Sequence, residues 1–400
     1  MKERYLEVTQ NISLWLIVFA CFSVNLPTFF VSVSTISLAV FWLLSRNFKI
    51  KFSRIKTNPV AIMAILLFVL YVIGVLYSSA MLSDRIKYLL KYEKLMLIPL
   101  IISLMSVSKM RVYALNAFLM SSIIVVFISY LKWLGWISHF DPTGEGFFVF
   151  NSRITHGVLI AFAVYMMLNR ALQSKGLIRL TWVFLLVLAA IDITFLVNGR
   201  TGQIILMALI PWFTFEVWGL KSVKYWIGLV FMAVVLHQAM SINIDSRLLN
   251  IQQELNSHQQ VKGKHTSAGQ RMEMYQTTLA LIKKHPFFGG GTGSLSNEYE
   301  IEAKQNNFFL DRVANPHNQF LLTSQELGLV GFLVLSFMWL SAWKLSSDIV
   351  VTQDGILLRG LILTMVIGCF FNSLLMDAGE GNFFCLLAGV LASSNRKSRL

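Results

Sequence analysis

Asn315-Pro316-His317-Asn318-Gln319-Phe320-Leu321-Leu322 is the junction on which the fold turns. To its left lies 241–317, the one long polar stretch of the chain. To its right an apolar run begins at 318 and continues to 343. A polar segment that ends in a histidine at the mouth of an apolar run reads as a loop outside a membrane, delivering side chains to the start of a span.

The rest of the chain supports that frame. Hydrophobic residues make up 56% of it and charged residues 14%, with a mean hydropathy of +0.64. A soluble domain is about one quarter charged. Apolar runs of roughly 17 to 25 residues recur, the length of a helix that crosses hydrocarbon, and the short alternating segments of a β-barrel do not. The expected fold class is an all-α polytopic membrane protein, with about twelve transmembrane helices and one large helical loop. The spans read as 11–27, 29–45, 60–78, 86–106, 112–134, 154–169, 180–197, 201–217, 223–240, 318–343, 356–375 and 381–394. Thus 1–240 holds the first nine spans, 241–317 is the large loop, and 318–400 holds the last three.

Basic residues fall in alternate turns. They are Lys2 and Arg4; Arg46, Lys49, Lys51, Arg54 and Lys56; Lys109 and Arg111; Arg170, Lys175 and Arg179; Lys221 and Lys224; Lys344; and Arg396, Lys397 and Arg399. The intervening turns, such as 78–83 and 376–380, are not basic in this way. By the positive-inside rule both termini are cytoplasmic and 241–317 faces outward, with a smaller outward loop at 135–152. This accounts for the net charge of +14 without a nucleic-acid partner. The N-terminal run lacks a small-residue cleavage site and reads as a retained span. Cys21, Cys369 and Cys385 all lie in apolar runs, so the sequence offers neither a disulfide framework nor a cysteine metal site.

Within the loop, Met272, Tyr275, Thr278, Leu279 and Ile282 recur at helical spacing. The helix is expected over 267–284, with Ser267 as its cap and Pro286 as its stop. In Pro286-Phe287-Phe288-Gly289-Gly290-Gly291-Thr292-Gly293 the crowd of glycines requires a turn or a nest.

Three arginines break the charge rule. Arg153 opens a span in Asn151-Ser152-Arg153-Ile154-Thr155-His156-Gly157. Arg200 sits in Asn198-Gly199-Arg200-Thr201-Gly202, and Arg271 lies in the loop. Any one alone reads equally as a snorkelling interfacial cation. Together, beside glycines and hydroxyls, they point to an anion site. Guanidinium grips phosphate bidentately, and glycine lets backbone N–H groups approach it. In the fourth span Arg85 precedes Lys87, Lys91 and Lys94, which are spaced to share one helical face. They snorkel, pair with Glu93, or line an outward cavity, and a cavity ringed with cations suits a lipid-linked diphosphate.

Histidine exchanges a proton near neutral pH, so His317 can take one from a hydroxyl. The plainer alternative is a polar cap for the helix that starts at 318. His156, His237 and His285 are candidates on composition alone. Among the acidic residues inside spans, Asp192, Glu216 and Glu326, the last is expected to serve packing. No histidine pair has metal-ligand spacing, so neither metal nor cofactor is expected.

These elements, in this order, resemble the bacterial O-antigen ligases, within a wider group that includes O-antigen polymerases and protein O-oligosaccharyltransferases. The resemblance rests on the span count, the single large late loop, Arg200 in a short turn before a span, and Arg271 opening the loop helix. It continues through the turn at 285–293 and through His317, which leads into a span with the step Glu326-Leu327-Gly328. It covers 150–400 well and the first spans in outline.

The resemblance implies a metal-independent, inverting glycosyltransferase of lipopolysaccharide biosynthesis. It would sit in the bacterial inner membrane with its active site facing the periplasm. The donor would be a polysaccharide on undecaprenyl diphosphate and the acceptor the lipid A–core oligosaccharide. His317 would match the catalytic base. Arg153, Arg200, Arg271 and Lys94, with Lys91 beside it, would match the cations that hold the diphosphate. O-antigen polymerases often carry an arginine followed by a glycine eleven positions on; none of Arg153, Arg200, Arg247, Arg271 or Arg312 has one. A transporter would place its site near the midplane, between inverted repeats with broken helices. Here the charges cluster at outward ends, and Pro99 and Pro211 form no paired pattern.

Overall fold

The computed structural model describes residues 2–105, 107–138, 146–197, 199–222, 226, 267–306, 310 and 312–395. The elements are helices: α1 Lys2–Ser23, α2 Thr28–Leu44, α3 Phe48–Thr57, α4 Pro59–Tyr77, α5 Leu82–Lys91, α6 Leu97–Leu104, α7 Ser108–Trp133, α8 Arg153–Gln173, α9 Gly176–Ile191, α10 Arg200–Trp218, α11 Ser267–Lys284, α12 Leu295–Asn306, α13 Gln319–Asp348, α14 Thr352–Phe371 and α15 Ala378–Ala392. Among the described residues the one extended pairing is an isolated bridge between Gly146 and Val197.

Eight of these helices are long and apolar enough to cross a membrane: α1, α4, α7, α8, α9 with its terminal turn, α10, α13 and α14. A ninth is reached if α2 and α3, bent by 118° at a short break, count as one span. The chain is thus a multi-pass helical membrane protein. The expected span 223–240 lies outside the described residues apart from Trp226. Expected span 381–394 corresponds to α15, which is apolar but has only 15 residues.

Two expectations are corrected. The span read at 86–106 is not one helix. α5 ends at Lys91, a 3-10 turn covers Glu93–Met96, and α6 begins at Leu97. Pro99 supplies the reason: without an N–H it cannot bond the carbonyl four residues back, and it fits only in the first turn of a new helix. The basic stretch 46–56, expected as a turn between spans, is mostly the helix α3. Arg46 and Asn47 turn the chain with φ of 46° and 48°. Lys51 is buried there, its Nζ donating to Ser45 Oγ at 2.8 Å and to the Trp42 carbonyl.

The chain divides into two compact units. The first comprises Met1–Leu70, Leu90–Leu209 and Leu333–Leu400, and the second Tyr71–Leu89 and Ile210–Phe332. The first is built around α8, which is apolar on every side and therefore central; 83% of its most apolar window is buried. α7, α9, α14 and α15 pack on it. Phe118, Phe162 and Phe383, from α7, α8 and α15, form a ring cluster with centroids 5.4 to 6.0 Å apart. In the second unit α11 packs on α12. Its fastening to the start of α13 shapes the site described next.

Candidate functional site

In the second unit, the glycine turn and the broken start of α13 form one device. Gly328 interrupts α13 with φ 64° and ψ −159°. In an unbroken helix the N–H groups of Leu329 and Val330 would bond the carbonyls of Gln325 and Glu326. Here they donate instead to the carbonyls of Pro286 and Phe287, at 2.8 and 3.2 Å. The released carbonyls of Gln325 and Glu326 accept from Gly290 and Gly291 at 2.8 and 2.9 Å. Two helical bonds are replaced by four bonds to the turn. The Thr292 N–H donates to the Gly74 carbonyl at 3.2 Å, and the Gly293 N–H to Glu326 Oε1 at 2.8 Å. The turn's amides are thus used by the protein itself. The motif is a fastening and not an anion nest, and Glu326 binds the turn through the Gly293 N–H.

This fastening fixes the segment that carries His317. Asn318 caps α13: its Oδ1 accepts the Leu321 N–H at 3.0 Å, and its carbonyl accepts from Leu322 at 3.0 Å. The alternative in which His317 is the cap is therefore wrong by one residue. His317 stands outside the helix with φ 53°, in the left-handed region. Its N–H donates to Asn315 Oδ1 at 2.8 Å, and its carbonyl accepts from Tyr275 Oη at 3.4 Å. The imidazole is half-buried. A non-glycine residue held at positive φ is uncommon and is a feature of active sites.

Tyr275 belongs to α11, which forms over the expected range. Arg271 lies one turn before Tyr275 and so shares its face of the helix. Glu273 lies off that face, buried, with Oε1 accepting the Leu310 N–H at 2.8 Å. Arg271 thus lies on the helix face of Tyr275, whose hydroxyl bonds the His317 carbonyl.

In the first unit, Arg153 and Arg200 open two helices whose first turns pack backbone on backbone. A Cβ on Gly202 would lie 2.6 Å from the Gly157 Cα, and one on Gly199 would lie 3.1 Å from the Arg153 carbonyl. At Gly202 only glycine permits that approach. Ser152 caps α8 by accepting the Thr155 N–H at 3.2 Å. Both helices start at this place, so their positive dipole ends add to the two guanidinium groups. Arg200 is exposed and Arg153 partly so.

Lys94 reaches the same neighbourhood. Its Nζ donates to the carbonyls of Met376 and Asp377, at 3.2 and 2.6 Å, in the turn that leads into α15. That helix touches α8 in turn: a Cβ on Gly379 would meet Thr155 Cγ2 at 2.5 Å. Lys94 is buried, 7% exposed, and its ammonium fastens this turn. The break after Lys91 removes the common helical face read for Lys87, Lys91 and Lys94. Lys91 is half-buried at the end of α5 and Lys87 is exposed. Arg85 closes the end of α4, with Nε and Nη1 donating to the carbonyls of Ala80 and Val75 at 2.6 and 3.1 Å.

Among the described residues no cluster of three or more His, Cys, Asp or Glu side chains could hold a metal ion. His285 is exposed; His237, Arg247 and Asn198 lie outside the described residues. His156 and Asp192, unpaired as candidates in the sequence, meet side chain to side chain at 2.6 Å. A signal existed: ionisable groups inside neighbouring spans require partners.

Residues 184–336 match a family model described as O-antigen ligase. The matched stretch contains Arg200, Arg271, His317, the glycine turn and Gly328; Lys91, Lys94 and Arg153 precede it. A comparison with curated proteins finds no match.

Proposed function

We propose that this chain, a member of the O-antigen ligase family through residues 184–336, is itself the ligase. In this reading it moves O-polysaccharide from undecaprenyl diphosphate to the lipid A–core oligosaccharide, at the periplasmic face of the bacterial inner membrane. Family members are membrane glycosyltransferase-like enzymes of the ligase and polymerase group. The observation that most favours a chemical role for His317 is its exclusion from capping, since Asn318 already does that work.

His317 is proposed as the general base. It takes the proton of the acceptor hydroxyl as that oxygen attacks the anomeric carbon. The new glycosidic bond forms on the face opposite the leaving group, the bond to the diphosphate breaks, and the configuration inverts. Negative charge develops on the departing diphosphate, where fixed cations stabilise the transition state. The proposed cations are Arg153, Arg200, Arg271, Lys91 and Lys94. Lys94, already bonded to two carbonyls, contributes as a buried charge.

Purified protein, lipid-linked glycan and rough lipopolysaccharide test the reading. Glycan joined to the lipid A–core supports it. Lengthening of the lipid-linked glycan with no lipid A–core product would make the chain a polymerase. In a null strain the ligase reading predicts lost surface polysaccharide and lipid-linked precursor accumulating on the outer side.

A further inference from the structure

His156 and Asp192 form a pair with both side chains fully buried, Nε2 to Oδ2 2.6 Å. The Val149 N–H donates to His156 Nδ1 at 3.4 Å. An accepting Nδ1 carries no proton, so the imidazole donates from Nε2 to Asp192. Asp192 Oδ1 is buried with no hydrogen-bond partner among the described residues. A buried carboxylate with one bare oxygen lowers stability, and an apolar pair of similar volume would avoid that cost. Stability therefore does not explain the pair.

Its neighbours do. His156 lies in the first turn of α8, three residues after Arg153, and its N–H bonds the Ser152 carbonyl at 2.9 Å. Asp192 opens a π turn, Asp192–Leu196, and its carbonyl accepts from Val197 at 2.9 Å. Such turns are frequent at functional positions. From there further bonds lead toward Arg200. Val197 pairs with Gly146, Phe147 N–H donates to the Leu196 carbonyl at 3.0 Å, and Gly199 N–H to the Val197 carbonyl at 2.7 Å. Gln203, in the first turn of α10, donates to the carbonyls of Ile193 and Thr194 at 3.4 and 3.2 Å. One imidazole thus ties together the turn carrying Arg153, the turn delivering Arg200 and the segment before Asn151.

We propose that His156 and Asp192 are positioning residues that hold Arg153 and Arg200 in register for one anionic group, the donor diphosphate. This rests on the reading of those arginines as donor ligands. Neither member of the pair touches the substrate.

Steady-state transfer by purified protein, with lipid-linked donor and then acceptor varied, tests the proposal. Asp192→Ala is expected to lower kcat/KM for the donor by about tenfold, short of the roughly hundredfold that a misplacement of about 1 Å can cost. The acceptor KM is expected to stay at the wild-type value. Asp192→Asn, whose amide oxygen can accept the same Nε2–H, is expected to restore donor kcat/KM. Should Asp192→Ala not fold, the double variant His156→Phe, Asp192→Leu fills the site with apolar atoms. It is expected to melt no lower than wild type and to show the same donor defect. Wild-type donor kcat/KM in either folded variant overturns the proposal. So does a rise in acceptor KM that matches the donor defect and comes with a lower melting temperature, since that pattern marks a merely structural pair. Arg200→Ala separates the two layers. If it also keeps wild-type donor kinetics, the arginines are not donor ligands and the underlying reading fails. If it alone is impaired, only the positioning role fails.

Discussion

Asn318 caps α13 through the Leu321 N–H at 3.0 Å, and His317, one residue earlier, is left outside the helix at φ 53°. The cap satisfies an orphan donor of the first turn. The preceding residue then reverses the chain, which a histidine or asparagine tolerates better than most side chains. His317 is therefore held by its backbone just outside the helix that Asn318 starts.

The fastening at Gly328 makes a stability prediction. Gly328→Ala puts a Cβ at φ 64°, against the Phe287 backbone. The strain alone is about 1 to 3 kcal/mol. Thermal unfolding in detergent should begin at a lower temperature than in wild type. An unchanged transition would mean that the turn and the broken helix do not depend on each other.

Arg200→Ala and Arg271→Ala should each weaken or abolish transfer while leaving membrane insertion intact, as judged by expression and monodispersity. Lysine at either position should rescue poorly, because a point charge lacks the bidentate fork. Full transfer by both alanine variants would remove the diphosphate reading.

How much of this was legible beforehand depends on range. The loop helix Ser267–Lys284 was readable because its periodicity and its proline stop are local. The Pro286-to-Gly293 turn was readable as a turn for the same reason. What the turn binds was not, since Gly290 and Gly291 find their acceptors in Gln325 and Glu326, and no local pattern announces that pairing. The step Glu326-Leu327-Gly328 matched a family pattern without revealing that it breaks α13. The break near Pro99 is invisible to hydropathy, which averages over it. The meeting of His156 with Asp192 depends on how α8 and α9 pack, which neither span states alone.

Chelation should not matter. EDTA added to purified protein should leave transfer unchanged, because the roles proposed for arginine, lysine and histidine require no ion. Loss of transfer restored by a divalent cation, with the acceptor's own aggregation held constant, would contradict this.

Acid should slow the reaction. A protonated histidine cannot accept the acceptor's proton, so the rate should fall as the medium is acidified and level off toward higher pH. A rate flat from acid to neutral pH would speak against a histidine base.

The substitution His317→Asn tests the central claim most directly. Asparagine suits the left-handed backbone that His317 adopts, and Asn318 keeps the cap, so the fold and its melting temperature should survive. Asparagine is no base at neutral pH. Single-turnover transfer from lipid-linked glycan to rough lipopolysaccharide by the purified variant should fall on the order of a hundredfold or more, with donor binding unchanged. Transfer at the wild-type rate would contradict the account.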